Sequence, residues 1–274
     1  LATPINHDEK AIIANQQLLP RIGQFNDQFR DKLKGSTFDI YDRGYALGNK
    51  QYKDEIPELL AGSIGTYKDK GMFFEPGQSV NYVESHDNHT LWDKIDICFS
   101  NESAEEKIRR HRLATSLVLL SQGIPFLHSG QEFFRTKYGV ENSYQSPDEI
   151  NQLDWNRKDQ YLNNVEYIKG LILLRKRNKA FRLQSVEDIQ RHVTINQQSN
   201  DIIQYLLHDL QGFKDEWETI LVLINVNDSA EEAYCSEEGW NIIVEDGVVY
   251  QDEYPSVHGD RIMMNPISIT ILAK

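Results

Sequence analysis

Apolar residues fall into two patterns along this chain: short runs alternating with helical periodicity up to about residue 180, and β-rich runs separated by polar turns thereafter. Ile22 to Asp27 (IGQFND) predicts a short strand, with a mostly helical or irregular stretch from Gly35 to Gly65 after it. Ser79 to Asn88 (SVNYVESHDN) predicts a second strand with a polar tip, and Ile124 to Phe133 (IPFLHSGQEF) a third that ends the same way. Between them Ser103 stands three residues before Glu106, the spacing of a capping box, and Ile108, Leu113, Leu117 and Leu120 follow at near-helical spacing. A second helix is predicted from Tyr161 to about Phe181. It carries Val165, Ile168, Leu171 and Ile172 on one side, and Arg175, Lys176 and Arg177 near its end, where cations suit the helix dipole. Strands alternating with helices imply β/α units and a parallel sheet.

Beyond about residue 181 the runs DIIQYLLHDL, ETILVLINVND, NIIVEDGVVYQDEY and ISITILAK read as strands, with Asp246–Gly247 as a hairpin turn. The expected fold is therefore α/β plus all-β, divided into residues 1–180 and an antiparallel β-sandwich over 181–274. No internal repeat is present.

Composition narrows the possible partners. With 274 residues, 39% of them hydrophobic, the chain can build sizeable cores. A formal charge of -13, from 29 Lys and Arg against 42 Asp and Glu, opposes nucleic acid and anionic membranes and favours neutral partners. Cys98 and Cys235 stand far apart without CxxC spacing and suggest neither a disulfide framework nor a zinc site. No apolar run approaches the roughly 20 residues of a membrane helix, and no signal-peptide pattern opens the sequence, although Leu1 is not an initiator methionine.

The chemistry is concentrated in VNYVESHDNHTLWDKI, Val80 to Ile95, where an apolar run delivers Glu84, Ser85, His86, Asp87, Asn88 and His89 to one place. In β/α folds functional residues sit at the C-terminal ends of strands. From the residues alone three readings stand: a polar turn made by Asp87 and Asn88, a metal site using His86 and His89, which lacks evident third and fourth ligands, and a catalytic rim.

A longer resemblance bears on the choice. YVESHDNHTLWDKI is similar to the fourth signature region of pullulanases, debranching members of the α-amylase superfamily. FNDQFRDKLKGSTFD resembles the segment around their sixth barrel strand, GIPFLHSGQEFFRTK their eighth strand and its rim, and ENSYQSPDEINQLDW the substrate-side loop that follows. These pieces cover about residues 15 to 160, in the family's order. The resemblance implies the C-terminal part of a (β/α)8 barrel followed by a β-sandwich, acting in retaining hydrolysis of α-1,6-glucosidic branches in pullulan, starch or glycogen-type glucans. It implies Asp87 as the carboxylate that stabilises the transition state and His86 and Asn88 as substrate contacts. Glu132, at the end of the third strand segment, is a candidate either to line the rim or to be a solvated loop group, Asn142 and Tyr144 match the substrate-side loop although NSY is also a common turn composition, and no cofactor is expected.

The same resemblance exposes what the chain does not contain. The family's nucleophile motif, resembling GFRFD, its acid/base motif, resembling GEGW, and its first signature region, resembling DVVYNH, do not occur. Leu1 is expected to fall just past the acid/base position of a complete enzyme. The implied partners are an α-glucan and either the missing N-terminal half of the barrel or a second copy of the chain. Two alternatives remain open, a noncatalytic carbohydrate- or partner-binding fragment and a metal-dependent hydrolase built on HDNH. Trp92 and Trp155 are candidates either to stack on sugars or to pack, and Asp27, Arg30 and Asp31 are expected to form a structural charge network.

Overall fold

The computed structural model describes residues 5–64, 71–235 and 238–274, which leaves Gly65, the end of the irregular stretch, outside the described residues. Three short strands, β1 (Gln24–Phe25), β2 (Ser79–Asn81) and β3 (Ile124–Pro125), form a parallel sheet with β2 in the middle. All are shorter than their apolar runs. β1 ends because Asn26 accepts from the Phe29 amide and opens the helix α1 (Asp27–Lys34). Beyond β2 the chain turns so that Glu84 enters the interior, and beyond β3 Gly130 takes a left-handed conformation, with φ of 90°, that starts a 3-10 turn over Gln131–Phe133.

By register, Phe25, Val80 and Ile124 share one face of this sheet. The rings of Phe25, Tyr82 and Phe126 meet edge to face there, at 4.8 and 5.1 Å between centroids. Phe25 remains 45% and Ile124 42% exposed, so this apolar face has no complete cover among the described residues.

The helices α2 (Ile56–Leu60), α3 (Leu91–Cys98), α4 (Ala104–Leu120), α5 (Asp148–Asn151), α6 (Trp155–Gln160) and α7 (Leu162–Arg177) complete the α/β part. α4 starts on the capping box, with Ser103 and Glu106 bonding each other's backbone amides, and buries Leu113, Leu117 and Leu120. α7 packs against α4, with the Ser116 and Tyr167 hydroxyls 2.8 Å apart, and buries Ile168 and Leu171. Arg175 acts beyond its own helix end: it is buried and donates to the carbonyls of Leu119 and Ser121, at 2.9 and 2.8 Å, and of Gly123 at 2.7 Å, closing the end of α4 and the approach to β3.

The remaining chain begins with α8 (Val186–His192), which runs into β4 (Val193–Gln197). There follow β5 (Ile203–Leu207), β6 (Ile220–Asn225), β7 (Glu231–Tyr234), β8 (Asn241–Glu245), β9 (Val248–Val249), β10 (Arg261–Met264) and β11 (Ser268–Ala273). Six strands pair antiparallel in the order β4-β5-β6-β11-β8-β9, and β7 with β10 forms a separate ribbon. Asp246 and Gly247 take φ of 47° and 77° between β8 and β9, the double left-handed turn that their sequence signals. β6 and β11 are buried along their whole length because both faces of the sheet are covered. Leu221, Leu223 and Leu272 pack toward Ala233, Trp240 and Met264 beside the ribbon, whereas Val222, Ile224, Ile269 and Ile271 join one apolar cluster with α4 and α7.

Candidate functional site

The loop from Tyr82 to Thr90 leaves the C-terminal end of the middle parallel strand. Its two ends are fixed from inside. Glu84 is buried, and its carboxylate receives the Leu91 amide at 2.6 Å while lying 2.9 Å from His128 Nδ1. Arg135 donates to His128 Nε2 at 3.1 Å, so that nitrogen is an acceptor and Nδ1 carries the proton given to Glu84. Burial alone would raise the Glu84 pKa, but the His128 bond and the Leu91 amide outweigh it and hold the carboxylate below its usual range. At the other end Thr90 caps α3 by accepting from the Asp93 amide at 3.1 Å.

Two buried lysines hold the carbonyls on either side of Asp87. Lys137 Nζ donates to the His86 carbonyl at 3.1 Å and to that of Glu141 at 2.8 Å, which ties the Asn142–Tyr144 loop to this one. Lys34 Nζ lies 3.4 Å from the His89 carbonyl, and burial lowers its pKa to about 7. Asp93 fixes the Lys137 segment in turn, accepting from its amide at 2.8 Å and from the Thr136 hydroxyl.

On this support the outward groups are free to meet a ligand. His86 Nδ1 and Asp87 Oδ1 are 3.1 Å apart, and the two side chains are 85% and 71% exposed. Asn88 takes a left-handed φ of 60°, which its short amide side chain tolerates. Asn142 and Tyr144 are exposed on their loop, which meets the His86 loop through Lys137. Glu132 is half-buried. It accepts from the Gly130 amide at 3.1 Å, while its own carbonyl accepts from Asn164 at 2.8 Å. Trp92 packs against Phe134 and Tyr161 under the Arg157 guanidinium, whereas Trp155 is 62% exposed. Asp27, Arg30 and Asp31 form the expected network, extended by the Tyr82 hydroxyl, to which Arg30 donates at 2.6 Å. Among the described residues no group of three or more His, Cys, Asp or Glu is placed to hold a metal ion, so the HDNH metal reading has no ligand set.

Sequence reasoning did not single out His128, Arg135, His111, Lys34 or Lys137. His111 is buried against Phe134, has no partner at Nε2 among the described residues, and is pushed by burial to a pKa of about 4. An unfolded chain protonates this residue near pH 6.5, before the folded one does, so its contribution to stability is complete above pH 6.5 and is lost as pH falls toward 4. The expected loss over that interval is about 3 kcal/mol. Urea unfolding between pH 4.5 and 7 measures it, and His111→Phe flattens the slope in that window. An unchanged slope in the variant would place the acid sensitivity elsewhere.

The family model for the pullulanase all-beta domain matches residues 189–247. The chain is 51% identical over 223 residues to the pullulanase of Bacillus subtilis strain 168, a match covering 81% of this chain and 31% of that protein. A crystal structure of pullulanase type I from the same strain, complexed with maltose, superimposes with a TM-score of 0.93 at 44% identity, covering 99% of this chain and 38% of the other. A pullulanase from Anoxybacillus sp. LM18-11 complexed with maltotetraose gives 0.90 at 43% identity, covering 100% of this chain and 38% of the other. The chain thus spans about a third of the length of these relatives. Alike in sequence over most of its length and in fold over nearly all of it, the chain belongs to the pullulanase family.

Proposed function

We propose that this chain supplies the later strands, the transition-state carboxylate and the C-terminal β-sandwich of a glycoside hydrolase that cleaves α-1,6-glucosidic branches in pullulan-, starch- or glycogen-type glucans with retention. The observation that carries the reading is the His86–Asn88 loop: an exposed carboxylate at the C-terminal end of a parallel strand, on a base of Glu84, His128 and Lys137. In this role Asp87 holds sugar hydroxyls and offsets the charge of an oxocarbenium-like transition state, and His86 and Asn88 contact the same glucosyl unit. Asn142 and Tyr144 face the next one, and Glu132 contributes through the turn it orders. Retaining hydrolysis also needs a nucleophile and an acid/base carboxyl about 5 Å apart, and this reading assigns both to strands upstream of the chain. The apolar face bearing Phe25 and Ile124 is then an interior surface of a (β/α)8 barrel that those strands complete.

The absence of GFRFD-like and GEGW-like strings favours a second reading, a noncatalytic carbohydrate-binding fragment. A longer polypeptide carrying the upstream strands separates the two. Such a protein is expected to release maltotriose from pullulan with the α-anomer appearing first by NMR. Appearance of the β-anomer, or no cleavage of α-1,6 bonds, would overturn the proposal.

A further inference from the structure

The loop of residues 35–44, between α1 and the 3-10 turn at Tyr45–Leu47, is pinned from several directions. Gly35 has φ of 95°, and a Cβ there would stand 2.1 Å from the Asp42 carbonyl oxygen. A Cβ on Gly44 would stand 2.3 Å from the Leu33 carbonyl. Lys94, reaching from α3, donates to the carbonyls of Ser36 at 2.8 Å and Asp39 at 3.0 Å. Cys98 Sγ donates to the Ile40 carbonyl at 3.0 Å, and Arg43 to that of Cys98 at 2.7 Å. Yet the aromatic side chains carried by this fixed backbone are left unpacked, Phe38 at 95% and Tyr41 at 71% exposure. A surface loop held this firmly is preorganised for a contact outside the chain.

Tyr41 stands at the edge of a cavity of about 430 Å³, within the usual range for a small-molecule site. Arg43, Asn49, Glu102, Arg110 and Asp228 line it with Tyr41. Arg110, whose side chain is 3% exposed, binds Glu102 at 2.6 and 2.9 Å and Asp228 at 2.9 Å, while its Nη1, beside Gly48, has no partner among the described residues. The guanidiniums of Arg43 and Arg110 each sit 4.1 Å from the Phe99 ring centroid, which fixes their planes.

The lining determines the chemical class. The carboxylates of Asp42, Glu102 and Asp228 disfavour an anion, and two guanidiniums disfavour a cation. A hydroxyl donates and accepts, so a neutral polyol can satisfy guanidinium donors and carboxylate or amide acceptors together. The free face of Tyr41 supplies the flat apolar surface that a sugar ring covers.

We infer that this cavity is a second saccharide site, sharing no lining residue with the His86–Asn88 loop, that takes a neutral glucosyl unit of an α-glucan with Tyr41 stacked on it. The choice of glucan rests on the function proposed above; the preference for a neutral polyol does not. Isothermal titration of the 274-residue chain with maltotriose tests it. Tyr41→Ala is expected to weaken binding about fivefold or more, the scale of one aromatic stacking contact. Tyr41→Phe keeps the ring and retains binding. No heat at any maltotriose concentration, equal affinity in Tyr41→Ala, or displacement of maltotriose by inorganic phosphate would each overturn the inference. Tyr41-dependent binding of lactose but not maltotriose would overturn the glucan assignment.

Discussion

Asp87→Asn, in a polypeptide that also carries the upstream strands, is expected to lower the catalytic constant on pullulan by about a hundredfold or more and to move the Michaelis constant much less. The substitution preserves size and one acceptor oxygen, so ground-state contacts with sugar hydroxyls largely survive. What disappears, in the proposed role, is a negative charge held where positive charge develops. That charge is worth most when it is fixed in advance, and here the backbone fixes it: Lys137 holds the His86 carbonyl, Lys34 approaches that of His89, and Asn88 turns the chain between them. Steady-state kinetics on pullulan gives the answer. A catalytic constant within a few-fold of the unsubstituted enzyme would remove Asp87 from the role proposed for it.

The 274-residue chain alone is expected to hydrolyse no pullulan and to associate with itself. Covalent glycoside hydrolysis cannot begin without a nucleophile and an acid, and a single stabilising carboxylate replaces neither. The association follows from the sheet. Among the described residues β1 and β3 each present an unpaired edge in the three-stranded sheet, and the face carrying Phe25 and Ile124 is nearly half open. Light scattering is expected to show oligomers that give way to a defined complex when the upstream half is supplied as a separate polypeptide, with turnover appearing at the same time. Robust release of maltotriose by the purified chain, or a monodisperse monomer at high concentration, would contradict the partial-barrel proposal.

Elements whose signals are local were legible in the sequence. The Ser103–Glu106 box and the apolar spacing behind it gave α4, and Asp246–Gly247 gave the hairpin, because each involves residues only a few positions apart. Strand lengths were not, since the decisive contacts are remote: Glu84 turns inward to His128, 44 residues away. β7 and β10 escaped because EEAY and RIMM have no clean alternation, and their strand state comes from pairing with each other. At the site the exposed motif was readable as a string, whereas the lysines beneath it were not, because nothing in one sequence separates a buried lysine from a solvated one.

The order of strands in the β half bears on how the chain is made. β11, the last strand to be synthesised among those described, lies between β6 and β8, and β8 and β9 reach the rest of the sheet only through it. While a ribosome is still adding residues 241–267, the β8–β9 hairpin therefore has one of its edges vacant and apolar side chains waiting for a neighbour. Closure must wait for β11 and is built on contacts distant in sequence, a topology expected to fold slowly and to expose unpaired strands meanwhile. A premature stop only a few codons before Ser268 would thus split the sheet in two, while a similar loss of β4 would trim only an edge.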